Sequence, residues 1–307
     1  MFDPRKIGGI WSAAPTPYTD AGGLDGASVD RLMEHHLRLG VSGIFIGGTS
    51  GEGPWLPQSM LSELARRTVR AAAGRMPVAV QVTDNSAQRM IDNIKHVADS
   101  GVDLVVVAPP FFQLNPTQDY LKKLYLEVID NSPLPVLLYH RGKHASVLLS
   151  GETVAQIATH EKVVMVKDSS QDPEAKVAFL RLKRGPRRGL VLMGGDEFDC
   201  VSALRDGYDG LLLGGACFNG GMARRLYELF RSGKIEEAQE VQRRMNLLMY
   251  EVFGGKDCAC WLAGQKRMLV ELGVFSTCRT IINYEVTPDC EKAIKSAFQQ
   301  YKSELLP

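Results

Sequence analysis

Short runs of apolar residues alternate along this chain with longer segments in which apolar residues recur at helical spacing. The runs Ile44–Ile46 and Leu104–Val107 show no polar alternation, so they predict strands that are buried on both faces. Between Ser28 and Leu39 the apolar residues recur every three or four positions, which predicts an amphipathic helix. Strand-like and helix-like segments follow one another in this way up to Ser232.

The pattern contains eight strand–helix units. The predicted strands are 7–13, 43–48, 77–83, 103–110, 135–141, 163–167, 189–195 and 210–214. The predicted helices are 28–39, 57–73, 86–100, 116–130, 150–159, 173–183, 196–206 and 219–232. This period predicts an α/β fold, a (β/α)8 TIM barrel. The alternative is an open doubly wound sheet, which normally has fewer strands, and no G-x-G-x-x-G motif follows the first strand.

Three further helical segments follow the barrel, at 235–253, 258–272 and 288–305. They carry charged residues on one side and Leu, Met, Val and Phe on the other, as helices that cover a core do. No low-complexity linker separates them from the barrel. We therefore expect a barrel over residues 1–232 and a C-terminal helical extension over 233–307 that packs on it.

Composition limits the classes of function. The chain has 307 residues, of which 45% are hydrophobic and 23% charged, and its net charge is +1, so nothing favours nucleic acid or an anionic membrane as a partner. No apolar run is long enough to span a membrane, and residues 1–9 lack the apolar core of a signal peptide. The six cysteines form no C-x-x-C pair, which predicts reduced thiols in a cytoplasmic protein.

The sixth predicted strand carries the most informative side chain. Because side chains alternate along a strand, Lys167 shares a face with Val163 and Met165. If that face lines a closed barrel, the amine is held in a low-dielectric interior, which disfavours its charged form. A neutral amine can form a Schiff base with a ketone. The alternative interpretation is a lysine at a strand end whose ammonium reaches water.

Two other features are placed at strand ends, where barrel enzymes carry their catalytic groups. After the second strand comes the segment Gly-Thr-Ser-Gly-Glu, residues 48–52, whose hydroxyls and free N–H groups suit a carboxylate. It could equally be a tight turn whose hydroxyls cap the next helix. Tyr139 ends the fifth strand and could move protons, or it could be a core aromatic residue. The meeting of these features with Lys167 in one barrel favours the functional interpretation.

These residues resemble the signature of the N-acetylneuraminate lyase / dihydrodipicolinate synthase superfamily. The resemblance covers nearly the whole chain, including the eight units and the trailing helices. Members are class I aldolases and their relatives, which form a Schiff base with pyruvate or another 2-oxo acid and need no metal or organic cofactor. The resemblance also implies a homo-oligomer, a tetramer or a dimer.

The resemblance assigns a role to each matching residue. Lys167 would form the Schiff base, and Tyr139 would carry protons between the donor and the oxygen of the second substrate. Gly48, Thr49 and Ser50 would hold the carboxylate of pyruvate through hydroxyl and backbone N–H groups.

Further pocket residues follow from the later strands. The pair Asp196 and Glu197 after strand seven resembles the lyase pattern that binds the hydroxyls of a sugar acid, together with glycine carbonyls such as that of Gly214. The alternative is that both carboxylates favour a helix N-terminus. Asp168 and Ser169, just past the lysine, are expected to line the same pocket.

Two departures from the family pattern bear on the substrate. Synthases usually carry a Pro-Tyr-Tyr segment after strand four, whose last tyrosine joins a neighbouring subunit's proton relay, whereas this chain has Phe112 there and lacks that hydroxyl. The family commonly continues past the strand-five tyrosine as Asn-x-Pro, whereas this chain reads His140-Arg141-Gly142. Arg141 or Lys143 could bind a carboxylate instead, or could be surface charges.

The leading hypothesis is a lyase or aldolase acting on pyruvate or a 2-oxo-3-deoxy sugar acid. The alternatives are 4-hydroxy-tetrahydrodipicolinate synthase, which joins pyruvate to aspartate semialdehyde, and a dehydratase such as one acting on 5-dehydro-4-deoxyglucarate. A non-catalytic 2-oxo-acid binder would also keep the fold. A metal-dependent barrel enzyme is conceivable because His140, His144 and Asp168 fall near strand ends, but their spacing matches no ligand motif.

Overall fold

Eight parallel strands close into a barrel in the computed structural model, which describes residues 7–306. Each strand pairs with the next along the chain, and β8 pairs with β1. The strands are β1 Gly9–Ala13, β2 Gly43–Ile46, β3 Val78–Gln81, β4 Leu104–Val107, β5 Val136–His140, β6 Val163–Asp168, β7 Val191–Gly194 and β8 Gly210–Leu213. The predicted (β/α)8 TIM barrel is confirmed.

A helix follows every strand and covers the outside of the barrel. These helices are α1 Gly26–Leu39, α2 Gln58–Ala72, α3 Ala87–Ala98, α4 Gln118–Asp130, α5 Gly151–Ile157, α6 Pro173–Arg184, α7 Cys200–Asp206 and α8 Ala216–Arg231. The chain then continues into α9 Ile235–Phe253, α10 Trp261–Glu271 and α11 Pro288–Leu305. None of the helices in residues 7–306 is both long and apolar enough to cross a membrane.

Strand alternation divides the apolar side chains between two cores. Leu137 and Met165 point into the barrel, where they form one cluster, whereas Leu138 and Val166 point outward and pack under the helices. Lys167 lies two residues beyond Met165, so it points into the barrel at the carboxyl end of β6. The alternation therefore places the amine at the mouth of the barrel.

The three last helices pack on one side of the barrel through α8. Helix α9 packs against α8, and α10 and α11 pack against α8, α9 and each other. The proposed division into residues 1–232 and 233–307 stays a prediction, and its residues 1–6 and 307 lie outside the described part of the chain.

Helices α7 and α8 do not begin where the sequence pattern predicts. The seventh helix begins at Cys200 rather than at Asp196, because the Asp196 carboxylate accepts the N–H of Phe198 at 3.1 Å and so favours a turn. The eighth begins at Ala216 rather than Asn219. Residues 195–199 therefore form a loop above β7, and Asp196 is not in the first turn of a helix.

Candidate active site

Lys167 is the buried cation at the mouth of the barrel. Its side chain is 5% exposed, and its Nζ lies 4.3 Å from the centroid of the Tyr139 ring and 5.4 Å from that of Phe45. Within residues 7–306 no carboxylate forms an ion pair with it. The amine is thus held between two aromatic rings and not in an ion pair.

Tyr139 lies beside Lys167 because β5 and β6 pair with these two residues in register. Its ring also meets Phe45 edge to face, with the centroids 6.0 Å apart. Burial by itself raises the pKa of Tyr139, but the positive charge of Lys167 and hydrogen bonds from Thr49 and Ser169 outweigh it and lower the pKa below 10.0. The phenol is therefore a proton donor that its surroundings make more acidic.

The Gly-Thr-Ser-Gly-Glu segment forms a tight loop after β2. Gly47 has φ +65°, and a β-carbon on Gly53 would overlap the carbonyl of Gly47, so the loop closes on itself in a way that only glycine allows. Among the described residues, no backbone carbonyl accepts from the N–H of Thr49 or Ser50. These N–H groups and the Ser50 hydroxyl are available to an anionic group, whereas the Thr49 hydroxyl bonds the Tyr139 phenol.

Ser50, Glu197 and Gly214 border one space near Lys167. A β-carbon on Gly214 would lie 3.2 Å from Ser50 Oγ and 3.6 Å from Glu197 Oε1, so the glycine keeps this space open. A β-carbon on Gly195 would overlap Ser169 Oγ and lie 3.0 Å from Lys167 Cε. The ends of β2, β6, β7 and β8 therefore converge around the amine.

Asp196 and Glu197 point in different directions. Glu197 accepts the N–H of Gly215 at 2.6 Å, and burial raises its pKa although that hydrogen bond and Lys167 act to lower it. Asp196 instead accepts Gln171 Nε2 at 2.9 Å and lines an outer cavity of about 190 Å³ between α6 and α7. Of the predicted pair, Glu197 is the carboxylate that faces the amine.

Asp168 and His140 lie on the outer face of the sheet. Asp168 accepts the hydroxyl of Tyr208 at 2.6 Å and that of Ser170 at 2.7 Å. His140 is 1% exposed and packs edge to face on Phe179, and burial lowers its pKa although Asp168 acts to raise it. Strand alternation explains both positions, since their neighbours Lys167 and Tyr139 point inward.

The loop after β5 brings one cation toward the site. The charge of Arg141 acts on the Tyr139 phenol, whereas Lys143 and His144 are exposed in a short 3-10 turn. Phe112 lies in the loop after β4 and is 63% exposed. In residues 7–306 no three His, Cys, Asp or Glu side chains are grouped so that they could hold a metal ion.

Sequence reasoning did not single out Phe45 or the groups that hold the site's loops. Phe45 could have been found, because it occupies an inward position on β2. The contacts from α9 could not have been found from the sequence pattern, because they join residues that are far apart in the chain. Gln242 donates to the carbonyl of Glu197 at 3.1 Å and accepts the N–H of Cys200 at 2.8 Å, and Asn246 donates to the carbonyl of Phe198 at 3.0 Å.

The arrangement combines an amine, an acidified phenol and a cluster of free donors. An amine in this position can attack a carbonyl carbon, the phenol can exchange a proton with the adduct, and the Thr49–Ser50 turn can hold an anion beside it. Glu197 adds an acceptor on the opposite side of the Gly214 space.

Comparisons with known proteins show the family to which this chain is similar. Residues 6–282 match the model of the dihydrodipicolinate synthetase family. The 4-hydroxy-tetrahydrodipicolinate synthase of Xanthomonas campestris pv. campestris is 32% identical over 242 residues, which are 78% of this chain and 78% of the relative. That of Gluconacetobacter diazotrophicus is 28% identical over 246 residues, 80% of this chain and 82% of the relative. The structure of dihydrodipicolinate synthase from Bacteroides thetaiotaomicron superposes with a TM-score of 0.86 at 27% identity, and the match covers 96% of this chain and 99% of that one.

Proposed function

Because the chain belongs to the dihydrodipicolinate synthetase family, we propose that it is a class I lyase or aldolase in which Lys167 forms a Schiff base with pyruvate or a related 2-oxo acid. The observation that carries the proposal is the placement of Lys167. Its amine is buried at the carboxyl end of β6, between the rings of Phe45 and Tyr139. A lysine is rarely buried in this way without a chemical reason.

The first step joins the 2-oxo acid to the protein. Thr49 and Ser50 bind the carboxylate through their N–H groups and the Ser50 hydroxyl, which orients the keto carbon toward Lys167. The amine nitrogen then forms a bond to that carbon, and the keto oxygen leaves as water with one proton from the amine and one from the Tyr139 phenol, which is left as a phenolate. The resulting protonated imine withdraws electrons from the neighbouring carbons, so no metal or organic cofactor is needed.

The second step breaks or forms a bond next to the imine. In the cleavage direction, the C4 hydroxyl of a 2-oxo-3-deoxy sugar acid gives its proton to the Tyr139 oxygen. The C3–C4 bond breaks, its electron pair moves into the imine to give an enamine, and an aldehyde leaves. Protonation of the enamine and hydrolysis of the imine then release pyruvate. Thr49 and Ser169 support the phenol as it gains and loses the proton.

The residues around the second-substrate position favour a polyol over aspartate semialdehyde. Glu197 faces the open space at Gly214, and a carboxyl group accepts hydrogen bonds from sugar hydroxyls. Phe112 has no hydroxyl to contribute to a proton relay. In this proposal Glu197 binds the sugar tail, and Asp196 acts indirectly through its bond to Gln171.

The second candidate is 4-hydroxy-tetrahydrodipicolinate synthase. It is favoured by the names of curated relatives, one of them 32% identical over 78% of this chain. Arg141, close to Tyr139, could bind the carboxylate of the semialdehyde. A dehydratase would share the imine and expel a hydroxyl group instead of an aldehyde.

Imine formation is tested with pyruvate and borohydride. Reduction should leave a three-carbon adduct on the peptide that contains Lys167, and Lys167→Ala should keep the fold and lose the adduct. Lys183→Ala is a matched control, because Lys183 lies at the opposite end of the barrel. Labelling elsewhere, or none, would remove the basis of the proposal.

The choice of partner is tested by a direct comparison. The protein is assayed with pyruvate plus aspartate semialdehyde, and with a panel of 2-oxo-3-deoxy sugar acids scored for release of pyruvate. A higher kcat/KM for a sugar acid, reduced by Glu197→Gln, is the expected result. A higher value for the semialdehyde, especially one that Phe112→Tyr increases, would establish the synthase instead. Imine formation with no turnover of any partner would indicate a 2-oxo-acid binder.

A second copy of this chain is the proposed protein partner, within a dimer or tetramer in the cytoplasm. Phe112, Leu114 and Leu148 are exposed by 63%, 81% and 62%, and large exposed apolar side chains favour interfaces. Gln118, at the start of α4, donates its side-chain N–H to the carbonyl of Leu148 at 3.0 Å and so links the two segments that carry these residues. Sedimentation at micromolar concentration that gives only the 33.8 kDa monomer would contradict this proposal.

A further inference from the structure

Glu52 and Lys266 form an ion pair that is wholly buried, although they are far apart in the chain. Glu52 ends the Gly-Thr-Ser-Gly-Glu loop, and Lys266 lies in α10, and both side chains have an exposure of 0%. Glu52 also accepts the N–H of Ile281 at 2.6 Å, and Lys266 donates to the carbonyl of Arg279 at 2.9 Å. The pair therefore joins the loop to α10 and to the segment between α10 and α11.

The surroundings of the pair fix its geometry further. The ring of Tyr18 lies 4.3 Å from Lys266 Nζ, and Thr16 donates its hydroxyl to the carbonyl of Gly51 at 2.6 Å. Glu52 itself has φ +58°, a left-handed conformation that is unusual for a residue with a side chain. Such a conformation persists when the surrounding contacts hold it.

A buried ion pair of this kind contributes little to the stability of the fold. Burial is the largest influence on both groups, and it raises the pKa of Glu52 and lowers the pKa of Lys266 to about 8. Removing two charges from water costs free energy that the attraction between them often fails to recover, whereas fixing a conformation is a recognised use of buried charges. The location matches that use, because Thr49 and Ser50 are three and two residues away from Glu52.

We propose that Lys266 is a positioning residue, which acts through Glu52 to hold the Thr49–Ser50 turn in the conformation that binds the carboxylate of pyruvate. The inference rests on the proposed function and extends it, because it makes a residue of the C-terminal helices part of 2-oxo-acid recognition. Lys266 does not touch the substrate in this proposal. Its effect is on where the N–H and hydroxyl groups of the turn lie.

The test compares Lys266→Met with the double variant E52Q/K266M. The dissociation constant of pyruvate is obtained from the extent of borohydride trapping at Lys167 as the pyruvate concentration is varied. In Lys266→Met the unpaired carboxylate moves toward water and takes the turn with it, so we expect pyruvate binding to weaken by about 10- to 100-fold. At saturating pyruvate, the rate at which the methyl protons of bound pyruvate exchange with solvent reports the step from imine to enamine. This rate should change less than the affinity.

The double variant keeps the experiment informative if the single variant does not fold. Gln at position 52 can still accept the N–H of Ile281, and no charge is left buried, so the double variant should fold and bind pyruvate more tightly than Lys266→Met. Its affinity should remain below that of the wild type, because the cation that fixes the acceptor is gone.

Two matched controls distinguish a displacement of the Thr49–Ser50 turn from a general loss of stability. Lys183→Met removes an ion pair with Asp209, 2.8 Å long, at the other end of the barrel, and Arg244→Met removes the Arg244–Glu304 pair between α9 and α11. Both should lower the midpoint of unfolding and leave pyruvate affinity unchanged. If they weaken pyruvate binding as much as Lys266→Met, the effect is loss of stability and the inference is wrong.

The outcomes also separate this inference from the proposed function. Wild-type protein that traps no pyruvate at Lys167 overturns both. Wild-type trapping with unchanged affinity in Lys266→Met and in the double variant overturns the inference alone. Weakened binding in both variants with intact controls supports it.

Discussion

Replacing Tyr139 by Phe removes one oxygen atom and leaves the ring. The ring keeps its contact with Lys167 Nζ, 4.3 Å from its centroid, and its edge-to-face packing on Phe45 at 6.0 Å. What is lost is the hydroxyl that Thr49 and Ser169 support. The substitution therefore separates proton transfer from the packing that holds the lysine.

The size of the effect follows from what the hydroxyl does. A positioned acid–base group typically contributes about 10²–10⁴-fold in rate, so turnover should fall within that range. The fold should lose only about 1 kcal/mol, the net value of a hydrogen bond, because the ring still fills the same space. Pyruvate should still be trapped at Lys167, since the turn that holds its carboxylate is unchanged.

The pH dependence provides a second readout. Burial raises the pKa of Tyr139, but Lys167 and the neighbouring hydroxyls lower it overall, below 10.0. If the phenol must carry its proton at one stage, kcat/KM should fall on the alkaline side at a pH below 10, and Tyr139→Phe should lack that limb.

The assays are steady-state turnover from pH 6 to 10, trapping with pyruvate and borohydride, and thermal unfolding. Turnover of Tyr139→Phe within about threefold of the wild type, far from the expected 10²–10⁴-fold loss, would refute a role in proton transfer. Complete loss of trapping in a folded variant would show that the hydroxyl is needed for imine formation itself.

The remaining predictions concern the Thr49–Ser50 turn, the open space at Gly214 and a buried histidine pair. Ser50→Ala should weaken pyruvate binding by about 1–3 kcal/mol, measured by trapping, and an unchanged affinity would count against its role. Gly214→Ala places a β-carbon 3.2 Å from Ser50 Oγ, so turnover should fall about tenfold or more while the midpoint of unfolding stays near that of the wild type. Burial lowers the pKa of His35 to about 3 and of His36 to about 4. As the pH falls through 6.5, these two histidines therefore become protonated in the unfolded chain but stay neutral in the folded protein. The pair should therefore contribute about 2.5 kcal/mol to the drop in stability between pH 7 and 5.5 in urea unfolding, a contribution that His35→Gln/His36→Gln removes and His96→Gln, on an exposed helix face, does not.

The barrel could be predicted because its pattern is local and repeated. Each strand is an apolar run and each helix an apolar stripe, and eight such units allow few other arrangements. Strand parity also predicts that Tyr139 and Lys167 point inward. The same argument, applied to β2, predicts that Phe45 points inward as well.

The loops were harder to predict, because their shape depends on distant contacts. Asp196 and Glu197 are neighbours in the sequence, yet one bonds to Gln171 and the other to the N–H of Gly215. The partner of Glu52 is Lys266, 214 positions along the chain. Periodicity contains no information about such pairs, since it describes each element on its own.

In the proposed function, the groups that form the imine and those that choose its partner lie on different parts of the structure. Lys167 and Tyr139 lie on adjacent paired strands, where register and packing leave little freedom. Glu197 lies on a loop that α9 holds along one face, through Gln242 and Asn246 one turn apart. A substitution on that face of α9 can move Glu197 without disturbing the strands, because the strand hydrogen bonds do not depend on it. Specificity for the second substrate can therefore change through the C-terminal helices while the imine chemistry stays constant, so relatives that share the lysine and tyrosine need not share a substrate.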